Sequence, residues 1–251
     1  MTSPLLSVRG LCKRFGALIV NDDIAFDVRQ GELHALIGPN GAGKTTLINQ
    51  LSGDLASDAG RIVFDNEDIT LCGLPDRVQK GLARSFQIAS ILPRYTVLEN
   101  VALAVQARSG SSFHFFSRVA LETTLNSVAE AALARVGLGA RGSIRAAALS
   151  HGEKRLLEIA IALACAPKLL LLDEPFAGLG QEETKTSIKL LRALKSEFTI
   201  VLVEHDMDAV FSLADVVSVL VDGRIIASGA PDDIRANPDV RAAYLGDEEV
   251  V

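Results

Sequence analysis

The sequence has no tryptophan, two tyrosines and ten phenylalanines in 251 residues. Any core it builds must therefore come from Leu, Ile, Val and Ala. Hydrophobic residues make up 49% of the chain, enough to fill one large domain or two small ones. Cysteine is scarce: Cys12, Cys72 and Cys165 lie far apart and form no C-x-x-C pair. This spacing argues against a zinc ribbon or a disulfide framework and fits reduced thiols in a cytosolic protein. There is no basic excess. Lys and Arg number 25 against 31 Asp and Glu, a formal net charge of −6, which argues against nucleic acid as the main partner. The apolar run at residues 169–172 is far too short to span a bilayer. Met1-Thr2-Ser3-Pro4 does not open a secretory signal. The expectation is a chain soluble by itself, with any membrane link made through a partner. Neither an internal repeat nor a low-complexity linker is visible.

What the sequence does have is Gly38-Pro39-Asn40-Gly41-Ala42-Gly43-Lys44-Thr45-Thr46, which fits the phosphate-loop pattern G-x-x-x-x-G-K-[ST]. The glycines let successive backbone N–H groups turn inward and approach phosphate oxygens. Lys44 supplies a compact charge for the β- and γ-phosphates, and the Thr45 hydroxyl is a ligand for Mg²⁺. His34-Ala35-Leu36-Ile37 before the loop reads as a buried strand. Residues 46–51 after it read as a helix whose N-terminal dipole faces the anion.

Around this loop the chain alternates strands and helices. Residues 5–10, 24–28 and 61–65 read as strands, with Lys13-Arg14-Phe15-Gly16 in a polar loop between the first two. Phe15 there is either core or a platform on which a base stacks. Residues 82–86 form a short apolar stretch ending at Gln87. Residues 98–166 read as a helical insertion. In it, 98–107 is Ala-rich, and 123–136 places Leu125, Val128, Ala129, Ala132, Leu133 and Val136 on one face, with Gly137 as C-cap. Residues 153–166 form another helix, ended by Pro167. The α/β pattern then resumes. Residues 168–172 run apolar into Asp173-Glu174, as suits a parallel strand covered on both faces whose carboxyl end carries ligand-facing groups. Residues 182–194 are helical, 199–203 form a strand before Glu204-His205-Asp206, and 216–220 with 224–227 form a hairpin across Asp222-Gly223. A helical tail follows.

Taken together, these motifs resemble the ATP-binding subunit of ATP-binding-cassette transporters, over nearly the whole chain. Residues 38–46 match Walker A and 169–174 match Walker B. Leu149-Ser150-His151-Gly152-Glu153 sit at the signature, Gln87 at the Q-loop and His205 at the switch histidine. The resemblance implies a P-loop α/β core at about 1–97 and 167–251, with an N-terminal antiparallel β-subdomain and a helical signature subdomain at about 98–166. It implies ATP and Mg²⁺ as cofactors. Nucleotide contacts fall to Phe15, Val20, Asn40, Gly41, Ala42, Gly43, Lys44, Thr45, Thr46 and Gln87, and, across a dimer, to Ser150, Gly152 and Glu153. Metal contacts fall to Thr45, Gln87 and Asp173, and catalysis to Glu174, His205 and Lys44.

A closer resemblance is to the cassettes of bacterial importers for branched-chain and related hydrophobic amino acids or amides. It is carried by residues 13–16, 40–46, 156–160 and 173–179 and by the tail from Pro238 through Tyr244-Leu245-Gly246. Urea importers share much of it. The implied partners are two permease subunits, a second cassette and, indirectly, a secreted substrate-binding protein, at the cytoplasmic face of the inner membrane.

Three residues depart from the pattern: His151 for Gly and Glu153 for Gln in the signature, and Gly180 for the Asp after Walker B. Glu153 brings negative charge toward an anionic ligand, which a protonated His151 would offset. Two other classes of cassette protein fit the sequence less well. Soluble cassette ATPases of DNA repair or translation tend to pair two cassettes in one chain or to carry zinc insertions or basic surfaces. A regulatory module without hydrolysis would not need Lys44, Asp173, Glu174 and His205 together. One stretch, residues 108–118, holds Phe113, Phe115 and Phe116 in a polar break. They either cap the helical core or form an exposed patch for a partner.

Overall fold

The structure, a computed structural model, describes residues 3–85, 91–108 and 123–245. Gln87 and the three phenylalanines of the 108–118 stretch lie outside the described residues. In chain order the elements are β1 (Leu6–Phe15), β2 (Leu18–Val28), β3 (Leu33–Ile37), α1 (Lys44–Ser52), β4 (Ala59–Phe64), β5 (Glu67–Asp68), α2 (Leu74–Lys80), β6 (Leu82–Arg84), α3 (Val97–Arg108) and α4 (Thr123–Arg135). They continue with α5 (His151–Ala164), β7 (Leu169–Asp173), α6 (Gln181–Lys195), β8 (Thr199–Val203), α7 (Met207–Leu213), β9 (Val216–Val221), β10 (Arg224–Gly229), α8 (Pro231–Ala236) and α9 (Pro238–Leu245).

Two sheets carry the fold. The first is antiparallel, in the order β2-β1-β4-β5. The second runs β10-β9-β3-β8-β7-β6, parallel from β9 to β6 with β10 antiparallel at its edge. The apolar runs of β7 and β8 explain why both faces of this sheet are covered. Side chains alternate between faces with period two. Leu170, Leu172, Ile200 and Leu202 point to the cluster shared with the helices α3 to α7. Leu169, Leu171, Val201 and Val203 point to the cluster shared with α1 and the antiparallel sheet. All eight are fully buried. At roughly 1.5–3 kcal/mol per buried side chain, these two strands hold both layers to the sheet.

Several expected boundaries move. β1 runs through Lys13 and Arg14 to Phe15, which pairs with Leu18 across a two-residue turn. The expected polar loop is instead the tip of a hairpin, where the polar Lys13 and Arg14 lead into the exposed apolar side chains of Phe15, Leu18 and Ile19. Val128, expected on the buried face of α4, is exposed. The face is centred on Ala129, Leu133 and Val136, and Val128 lies a 100° step to its side. Gly137 does terminate that helix, at φ 79° with its N–H on the Ala134 carbonyl. α5 starts two residues earlier than expected, because Ser150 and Glu153 form a capping box. The Asp222-Gly223 turn has left-handed φ at both residues, as its sequence demands.

Candidate functional site

Register brings the catalytic candidates to one edge. In the parallel sheet, Asp173 of β7 lies opposite Val203 of β8, and Val203 lies opposite Leu36 of β3. These three strands therefore end in one row, at neighbouring spacings of about 4.8 Å. The segments that leave them are the phosphate loop from Gly38, then Glu174, then Glu204-His205. Carboxyl ends of parallel strands are where open α/β sheets hold ligands.

The phosphate loop is packed too tightly for side chains at two of its glycines. A Cβ on Gly38 would overlap the Leu220 carbonyl of β9. Gly43 has φ 102°, and its Cβ would lie 2.6 Å from the Val20 carbonyl and 2.7 Å from Asn21 Nδ2. Asn21 also donates to the Gly43 carbonyl at 3.3 Å. β2 thus lies directly behind the loop, which puts Val20 beside it. The β9–β10 turn closes over it as well, with Gly223 N–H donating to Ala42 O at 3.1 Å. Asn40, Gly41 and Thr45 are exposed, whereas Ala42, Gly43 and Lys44 are buried and Thr46 half-buried. Lys44 Nζ donates to the carbonyls of Gly38 at 2.6 Å and Pro39 at 2.9 Å. Burial lowers its pKa, and the charges of Glu174 and Asp173 oppose that shift.

Asp173 is buried and its pKa is raised by that burial, with Arg84 the main opposing influence. Arg84 Nη2 donates to Asp173 Oδ2 at 3.0 Å, and Nη1 reaches Asn49 Oδ1 at 2.6 Å and Asp54 Oδ2 at 3.2 Å. Glu174 is half-buried and sits at φ 47°, a region non-glycine residues rarely adopt. Its N–H is fixed on the Val203 carbonyl at 2.8 Å. Strained backbone of this kind concentrates at functional sites. The His205 side chain is 61% exposed. Beneath it lies Glu204, fully buried, a residue to which the sequence alone assigns no role. One Glu204 oxygen accepts from Phe176 N–H at 2.9 Å, the other from His205 N–H at 2.9 Å and Asp206 N–H at 3.4 Å. Burial pushes its pKa up against those three donors. The carboxylate thereby ties the turn after β7 to the turn after β8.

Phe15 is not core. It is 52% exposed at the hairpin tip, with Lys13 Nζ 5.6 Å from its ring centroid. The signature residues form a separate group at the start of α5. Ser150 Oγ accepts from Glu153 N–H at 3.2 Å, and Glu153 Oε2 accepts from Ser150 N–H at 2.9 Å. Gly152 is buried, with the Glu183 carboxylate where a Cβ would go. His151 Nε2 lies 3.3 Å from the Ala177 carbonyl, in the loop after Walker B. Gly180 caps α6 with extended backbone, its N–H on Glu183 Oε2 at 3.1 Å.

The family model described as ABC transporter matches residues 21–177. The chain belongs to the ABC transporter family. A second model, for the branched-chain amino acid ATP-binding cassette transporter, matches residues 224–250 of this cassette. The cassette is 37% identical to the high-affinity branched-chain amino acid transport ATP-binding protein LivG of Salmonella typhimurium, covering 98% of this chain and 100% of the relative. It is 38% identical, with the same coverage, to BraF of Pseudomonas aeruginosa, whose name describes the same role. Among solved structures, an ABC-transporter ATP-binding cassette in its ADP conformation superposes with a TM-score of 0.86 at 30% identity, covering 98% of this chain and 100% of that one. A nucleotide-free cassette gives 0.85 at 30% identity, covering 96% and 98%. Among the described residues no helix is long and apolar enough to cross a membrane.

Proposed function

We propose that this cassette is the ATP-hydrolysing subunit of an importer for branched-chain or related hydrophobic amino acids. It would work beneath two permease subunits at the cytoplasmic face of the inner membrane, paired with a second cassette and supplied by a secreted binding protein. The observation that carries the reading is the row Leu36–Val203–Asp173, which delivers the Lys44 loop, Glu174 and His205 to one edge. Near-full-length identity to LivG and BraF supports the substrate class. Urea or amide import is the alternative that shares most of the sequence pattern.

Phosphoryl transfer needs positioning and charge neutralisation more than covalent chemistry. Lys44 and the loop N–H groups hold the phosphates. Glu174 orients the attacking water or takes its proton, and His205 contacts the γ-phosphate. Ser150 and Gly152 meet the nucleotide of the opposite cassette. The donors Thr45 and Asp173, with Gln87, suit a hard cation bound through few protein oxygens. Mg²⁺ bound there would neutralise charge on the phosphate oxygens. Residues 1–97 and 167–251 would form the ATP-binding core, and 98–166 the subdomain that presents the signature.

Phe15 serves binding and not chemistry. Stacking adds roughly 0.5–1.5 kcal/mol beyond area burial. Phe15→Ala is therefore expected to weaken ATP affinity several-fold, with hydrolysis at saturation nearly intact. Unchanged affinity by titration of a fluorescent nucleotide would remove Phe15 from the site. The function itself is tested by steady-state hydrolysis in the reconstituted transporter. Binding protein loaded with leucine should stimulate it, and a rate indifferent to leucine would count against the substrate class.

A further inference from the structure

Glu153 stands at the third position of α5, the helix whose N-terminus carries the signature. A helix N-terminus offers an anion about +0.5 elementary charge. A carboxylate in the first turn would by itself reverse that sign. The Glu183 carboxylate, which lies against Gly152, adds to the problem. The His151 ring is turned to the Ala177 carbonyl in the loop after Walker B.

The compensating charge comes from Arg141, twelve residues upstream in a short helical turn at Gly139–Arg141. Arg141 Nε donates to Glu153 Oε1 at 2.8 Å and Nη2 donates to Oε2 at 3.1 Å, a two-pronged pairing. Planar guanidinium and carboxylate match in this geometry. Oε2 also accepts the Ser150 N–H, so both Glu153 oxygens are committed within the chain. Arg141 lowers the Glu153 pKa and is itself raised by Glu153, which keeps the pair ionised. Glu153 is thus held as a strut of the signature.

We propose that Arg141 is a positioning and charge-compensating residue of the signature: by binding Glu153 through both prongs, it lets an acidic α5 N-terminus receive the triphosphate held by the opposite cassette. This rests on the ATPase reading above. It predicts an effect across the cassette dimer and none on the nucleotide held by the same chain.

The test uses the transporter reconstituted with its permeases and binding protein. Arg141→Ala should raise the KM for ATP at least about threefold, the scale of one partly solvated unit charge at close range. The defect should shrink as salt is raised. Adding Glu153→Gln to Arg141→Ala removes the uncompensated charge but keeps a side chain able to complete the capping box. The double variant should return KM to within about twofold of the parent. ATP affinity of the isolated Arg141→Ala subunit should equal the parent's. A defect that Glu153→Gln fails to rescue, or one that appears equally in the isolated subunit, would overturn the proposal in favour of a purely structural staple. A parent transporter that does not hydrolyse ATP would instead overturn the functional reading on which it rests.

Discussion

Glu174→Gln should bind ATP as tightly as the parent cassette but turn it over at least ~10²-fold more slowly, the scale of general-base catalysis. The expectation comes from how the residue is held. Its backbone is fixed at φ 47° by a hydrogen bond to Val203, immediately after the buried Asp173. The substitution preserves shape and hydrogen-bonding reach and removes only the charge and the capacity to take a proton. The fold should be unaffected, because among the described residues Glu174 makes no ion pair that the substitution breaks; its charge acts on Lys44 through space. Measured in the assembled transporter, near-parental steady-state hydrolysis would remove Glu174 from the role of orienting or deprotonating water.

Lys44→Ala should weaken nucleotide binding strongly. Lys44 Nζ has three N–H donors, of which two satisfy the carbonyls of Gly38 and Pro39. The third, with the positive charge, is available to phosphate. Hydrogen bonds to charged groups contribute roughly 1.5–3 kcal/mol, so ATP affinity should fall about 10- to 100-fold. The isolated subunit should remain folded, since burial already disfavours the Lys44 charge. Parental affinity in a nucleotide titration would contradict the assignment. A collapsed melting transition would show that the lysine holds the loop and not the ligand.

The parts of this arrangement that the sequence displays are those where one local pattern has one physical meaning. The Gly-rich loop, the apolar run into Asp173-Glu174 and the Asp222-Gly223 turn are of this kind. Each is set by backbone conformation or by burial on two faces. Parts that depend on side chains meeting across the fold are not visible in the same way. Glu204 looks like one more turn acid until Phe176, His205 and Asp206 are seen to converge on it. Arg84 looks like an interruption of a short apolar stretch, and only β6 beside β7 explains it. Arg141 lies in a Gly- and Ala-rich stretch with no pattern of its own. The short helices α2 and α7, seven residues each, are under two turns and too brief for periodicity to register. Their caps were the available signals: Gly73 with Pro75 for the first and Asp206 for the second. Glu153 was legible as a departure from the family signature, but its consequence was not, because its partner sits in another element.

The most direct test of the whole account is uptake by proteoliposomes that hold this cassette, its permeases and ATP, with the binding protein outside. Labelled leucine should accumulate inside only when ATP is enclosed, and unlabelled isoleucine or valine should compete while urea does not. Accumulation of urea in place of leucine, or leucine entry that is indifferent to enclosed ATP, would contradict it.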